Sequence, residues 1–122
     1  MDLLIGWEPF EITFRGSKVS MTLRPLRTDA FQVLFPYMKR LENVQENAIQ
    51  AMELQGKLAP VFRDHVKDIS GITINGMPPT PEDLATEIML IGLAQSIAQE
   101  LFTRSSIMAI ESKNLEPPSG QS

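Results

Sequence analysis

Thr80-Pro81-Glu82-Asp83 opens the stretch that most constrains this chain, which continues to Ser112. Thr80 is a helix N-cap residue, because its hydroxyl can accept from an orphan N–H of the first turn. Pro81 suits the first helical position, where no N–H is needed. Glu82 and Asp83 place negative charge at the positive end of the helix dipole. Leu84, Ile88, Ile91, Ala94 or Gln95, Ala98, Leu101 and Phe102 follow at helical spacing. The spacing predicts a long C-terminal helix over about 81–112, either unbroken or restarting at Ser105-Ser106.

A helix with an apolar stripe needs something to lie on, and the N-terminal part supplies it. Phe10-Glu11-Ile12-Thr13-Phe14-Arg15 alternates apolar and polar, and so does Lys18-Val19-Ser20-Met21-Thr22-Leu23-Arg24. That is the period of half-buried strands. Gly16-Ser17 between them reads as a two-residue turn. The expected element is a β-hairpin over 10–24 whose apolar face carries Phe10, Ile12, Phe14, Val19, Met21 and Leu23. A lone hairpin is marginal in water, so helices or another chain must cover that face.

After Pro25, Thr28-Asp29 caps a helix expected over about 29–54. Phe31, Leu34, Phe35, Met38, Leu41, Val44, Ala48 and Met52 form its stripe. Pro36 bends it or divides it, and Gly56 is placed as its C-cap. Residues 58–69 read as a short helix with Val61, Phe62, Val66 and Ile69 on one side. Ile72-Thr73-Ile74 reads as a short strand and Asn75-Gly76 as a turn. Met1 to Pro9 is expected as a loose arm or edge strand, with Trp7 as a lid on the core. The segment 114–122 lacks a core-forming pattern and is expected to be disordered. The fold class is therefore α+β, mostly helical: one domain over 1–113, with an N-terminal β-hairpin packed against three to four helices.

Composition removes several function classes. There is no cysteine, hence no disulfide framework, thiolate nucleophile or cysteine-based metal site. No apolar run approaches the roughly 18 residues needed to span a bilayer. Met1-Asp2-Leu3-Leu4-Ile5-Gly6-Trp7 is too short and too quickly acidic for a signal peptide, and the lack of cysteine suits a reducing, cytoplasmic setting. The net charge is −4, and an acidic chain neutralises few phosphates. A nucleic-acid regulator would have to rely on Arg24, Arg27, Lys39 and Arg40. His65, the single histidine, lies beside Asp64 and near Asp68. This is the one candidate acid–base or metal cluster, and a surface or boundary position for His65 is the expected reading. No glycine-rich phosphate motif occurs. No catalytic residue, cofactor or metal is expected.

One ordered set of motifs is familiar. It comprises Phe62, then His65-Val66-Lys67-Asp68-Ile69-Ser70-Gly71, Ile72-Thr73-Ile74-Asn75-Gly76 with Pro78, the Thr80-Pro81-Glu82-Asp83-Leu84 helix start, and Glu111-Ser112-Lys113-Asn114. This region, Phe62–Asn114, resembles tail assembly chaperones of tailed bacteriophages and prophages. The resemblance implies a mostly helical protein that coats the hydrophobic tape-measure protein and helps recruit tail-tube subunits. In many such proteins a frameshift also yields a longer form. The hairpin departs from an all-helical pattern and keeps open an alternative, a structural tail or head–tail completion subunit of the virion. The implied partner is the tape-measure or another tail protein, bound in the host cytoplasm, with no membrane or nucleic acid. The girdle Ile88-Met89-Leu90-Ile91, apolar all round, points to self-association as well. Met89, Leu93, Ile97, Leu101, Ile107 and Met108 are the expected partner-binding residues.

Overall fold

The computed structural model describes residues 6–38 and 48–115 of the chain. Strands β1 (Glu8–Phe14) and β2 (Ser17–Leu23) form the hairpin, and β3 (Val66–Ser70) adds to β2. The sheet is antiparallel throughout, in the order β1-β2-β3. Among the described residues the helices are α1 (Thr28–Met38), α2 (Ala48–His65), α3 (Pro81–Thr86) and α4 (Ile91–Leu115). The α+β class with a long C-terminal helix is as read from the sequence.

The hairpin turn is Arg15-Gly16, one residue earlier than expected, because Phe14 pairs with Ser17. Both turn residues have positive φ, +51° and +79°. A primed two-residue turn requires this, and glycine supplies it without strain at the second place. The strands keep the expected face. Val19, Met21 and Leu23 are buried, with Phe10, Ile12 and Phe14 partly buried against the same core.

The segment expected as a helix over 58–69 is instead divided. Residues 58–65 are the last turns of α2, and 66–70 form β3. The cause is a bulge. Ser20 pairs with Ser70 and Thr22 with Lys67, so β3 carries an extra residue. Asp68 adopts φ +56° there, as bulged strands do. Val66 and Ile69 thereby both face the core although three residues apart, and that spacing imitates a helix. Gly56 lies inside α2 rather than capping it. Pro60 follows four residues later; its ring removes one donor and crowds the Gly56 carbonyl, and α2 continues through it. Ile72-Thr73-Ile74 is not a strand. Ile74 bridges only to Met77 across the Asn75-Gly76 turn.

The expected helix 81–112 breaks at Glu87, earlier than Ser105. Thr80 and Asp83 form a reciprocal capping box, and Pro81 stands in the first turn. Glu87 is then extended, Ile88–Leu90 make one 3₁₀ turn, and α4 starts at Ile91. At 3.6 residues per turn, a straight helix would aim Leu84 and Ala85 roughly 140° away from the Ala94–Ile97–Ala98–Leu101 stripe. The break brings both faces into one core. Gln55, buried in α2, donates its amide to the Glu87 carbonyl at 2.7 Å, and the same carbonyl accepts the Leu90 N–H at 2.9 Å, so the bend is tied to α2.

The core combines Leu23 and Val66 from the sheet with Leu34, Leu58, Phe62, Leu84, Leu93, Ile97 and Leu101 from the helices. Each such side chain contributes about 1.5–3 kcal/mol on burial. Phe31 of α1 stacks on Phe102 of α4, with ring centroids 4.7 Å apart. α1 runs through Pro36, and whether it continues toward 54 falls outside the described residues, as do Lys39, Arg40, Leu41 and Val44. The expected arm 1–9 is described only from Gly6, and the expected tail 114–122 only to Leu115, which still belongs to α4.

Gly71 has φ +90°, and a Cβ there would overlap the Lys18 carbonyl oxygen. Gly76 has φ +79° with open space around it. Gly71→Ala is therefore expected to lower unfolding stability by roughly 2–4 kcal/mol. Gly76→Ala carries only the left-handed backbone cost of about 1–2 kcal/mol. Urea titration of both variants checks the difference, and equal losses would contradict the packing.

Candidate functional site

The expected partner-binding residues separate into two groups. Leu93, Ile97 and Leu101 are buried in the core. They are not available as a binding face, because α4 turns that stripe onto α1, α2 and the sheet. Met89, Ile107 and Met108 are exposed. Met89 lies in the 3₁₀ turn beside exposed Ile88, and exposed Met52 of α2 lines a shallow depression together with Ile88.

The other two, Ile107 and Met108, belong to the distal part of α4. Up to Ser105 this helix has a buried side. Ser105 accepts the Leu26 N–H at 2.8 Å and donates to the Leu101 carbonyl at 2.6 Å. That pair fixes the strand-to-α1 connection to the helix. Beyond it Ile107, Met108 and Ile110 are 50, 46 and 60% exposed. At 100° per residue these three cover an arc of about 160° on one side of the helix. An apolar helix end of this kind gains by being covered.

Ile107 and Met108 also line an open groove of about 480 Å³ where α4 passes the end of the hairpin. Leu23 forms its floor, and Glu8, Arg24 and Arg104 stand along it. Arg104 is held in place: Nε meets the Glu100 carboxylate at 2.7 Å, Nη2 donates to the Pro9 carbonyl at 3.2 Å, and the guanidinium lies over the Phe10 ring. Among the described residues the Arg24 side chain donates only to the Pro25 carbonyl, at 3.3 Å, and has no carboxylate partner. Arg24 and Arg104 were not expected to flank one apolar surface. They are 80 positions apart, and neither lies in a motif, so only the packing of the hairpin along α4 brings them together. Of the other basic residues weighed for nucleic acid, Arg27 approaches Asp29 at 3.7 Å, and Lys39 and Arg40 lie outside the described residues.

His65 is buried, not at the surface or boundary. Nε2 accepts the Arg27 N–H at 3.0 Å and Nδ1 lies 2.7 Å from the Val61 carbonyl. An amide N–H can only donate and a carbonyl can only accept, so the ring is neutral with its proton on Nδ1. The His65 carbonyl meanwhile accepts from Arg24 N–H at 3.1 Å. The residue thus ties α2, β3 and the connection leaving β2. Asp64 faces Arg63 at 3.6 Å, and Asp68 occupies the bulge. No group of three or more His, Cys, Asp or Glu side chains able to hold a metal stands together among the described residues. Trp7, expected as a lid, is 37% exposed and carries the Lys67 ammonium 4.3 Å from its ring centroid, a cation–π pair at the surface.

No protein-family model, curated protein or solved structure gives a significant match to the chain. No helix among the described residues is long and apolar enough to cross a membrane.

Burial pushes the His65 pKa below 6.5, opposed by the Val61 carbonyl and reinforced by Arg24. Between that lowered value and 6.5 the unfolded chain binds more protons than the folded one, so stability rises with pH there. It is complete above about 6.5 and is lost as pH falls through the folded value. Denaturation midpoints are expected to stay level above about pH 6.5 and to fall as the pH drops below it. His65→Gln, which cannot titrate, should start less stable and show a flatter profile. Because the chain has one histidine, parallel profiles would contradict the assignment.

Proposed function

We propose that the chain is a tail assembly chaperone of a tailed bacteriophage or prophage. It binds the tape-measure protein in the host cytoplasm, keeps its apolar helices soluble, and assists assembly of the tail tube. The observation that carries the reading is the distal end of α4, where Ile107, Met108 and Ile110 are exposed on a helix otherwise fixed to the core. A chaperone for a long apolar helix needs such a surface, because helix-in-groove recognition uses apolar anchors at one-turn spacing. The resemblance over Phe62–Asn114 supplies the identity of the partner. In this reading the exposed residues Met89, Ile107 and Met108 remain partner contacts, joined by Ile110, and the chain acts without cofactor or catalysis. The Met52–Ile88 surface is left for a second copy, which makes the chaperone a homo-oligomer.

Co-expression with the tape-measure protein tests this directly. The partner is expected to be insoluble alone and soluble with the chain, in a complex that survives sizing. The double variant Ile107→Asp with Met108→Asp should reduce capture about tenfold or more, as loss of two apolar anchors does. Because both positions are exposed, the variant should retain wild-type melting. A partner soluble by itself and indifferent to the chain would end the chaperone reading. A discrete ring formed by the chain alone would favour the structural tail or head–tail subunit instead.

A further inference from the structure

We infer that the groove between the hairpin end and α4 receives an amphipathic helix that carries carboxylates beside its apolar stripe. The inference rests on the proposed function only for which protein supplies that helix. The floor is apolar, with Leu23 below and Ile107 and Met108 along one wall. The charges beside it are unequal in their freedom. Arg104 already has Glu100, the Pro9 carbonyl and the Phe10 ring. Arg24 keeps only a long bond to a neighbouring carbonyl, and no carboxylate reaches it among the described residues. Its backbone N–H is separately committed to the His65 carbonyl, so the side chain is presented from a fixed strand end.

A guanidinium beside an apolar surface selects a carboxylate, because it offers a planar fork of donors and is weakly hydrated. Placed next to anchors that exclude water, the pair is less screened than one in open solvent. The occupant is therefore acidic along one flank of its apolar stripe. A basic helix would meet Arg24 and Arg104 with like charge. Glu8, on the same groove, opposes an acidic occupant and sets a limit on how far its carboxylates extend. Electrostatic complementarity of this kind decides partner and register more than total affinity.

The probe is a synthetic, fluorescently labelled amphipathic helix of about five turns, with a leucine stripe flanked by glutamates. Its twin carries lysines in place of the glutamates. Anisotropy titration of both with the full chain is expected to show binding of the acidic helix and at least about tenfold weaker binding of the basic one. Arg24→Glu and Met108→Asp should each weaken the acidic helix by about tenfold, and Glu8→Gln should tighten it. Thermal melting verifies folding, and Arg24→Gln serves if the charge reversal unfolds the chain. Equal binding of the two helices, binding by neither, or binding lost with Met89→Asp and kept with Met108→Asp would each overturn the inference. The two ideas fail separately. If Arg24→Glu still captures the tape-measure protein in co-expression, the groove assignment falls and the chaperone stands. If the acidic helix binds as expected while the tape-measure protein is not captured, the groove stands and the partner is another protein.

Discussion

The bend at Glu87 is the constraint on which the rest of the structure depends. It rotates the apolar stripe of α4 by more than a third of a turn relative to Leu84 and Ala85, so that α3 and α4 close on the same core. The Glu87 carbonyl at the bend accepts both the Leu90 N–H of the 3₁₀ turn and the Gln55 amide from α2. One side chain on α2 therefore braces the place where the long helix begins. The hairpin meets that beginning too, since Arg15 donates to the Met89 carbonyl at 3.3 Å and Phe14 lies near Gly92. The tip of the sheet, the end of α3 and the start of α4 are joined at one place.

Much of the fold was legible where one local pattern admitted one reading. Two alternating segments around a glycine gave the hairpin, and the Thr80–Asp83 box gave a helix start to the residue. The failures share a physical cause, which is that apolar spacing does not report phase. Val66 and Ile69 are three apart because of a bulge, and spacing alone cannot tell that from a helical turn. Ile88 and Ile91 continue the rhythm of Leu84 across a break that only the three-dimensional core requires. The partner-binding residues failed for the same reason. Leu93, Ile97 and Leu101 lie on the same helix as Ile107 and Met108, and nothing in their chemistry says which of them the sheet covers. The groove could not be read at all, since it joins the end of β2 to the late part of α4.

His65 and Ser105 show how polar side chains can hold an irregular connection. The stretch from Arg24 to Arg27 leaves the sheet and enters α1 with little regular structure to satisfy its amides. Three of its N–H groups are taken by residues far along the chain: Arg24 by the His65 carbonyl, Leu26 by Ser105 Oγ and Arg27 by His65 Nε2. Backbone donors leaving a sheet must find partners of this kind or water. The same anchoring keeps Arg24 beside α4, so the stability of the connection and the shape of the groove have a common origin.

The sheet order has a consequence for how the chain is made. β1 and β2 are adjacent in sequence and can pair as soon as both are synthesised. β3 lies about forty residues further on, beyond α1 and α2, and closing so long a loop costs entropy before any pairing repays it. During synthesis β2 therefore waits with one edge unpaired and with the floor of the core, Val19, Met21 and Leu23, uncovered. An open strand edge of that kind invites pairing with other chains. The nascent protein passes through an interval in which it is itself prone to aggregate, and that interval ends only when the bulged strand arrives.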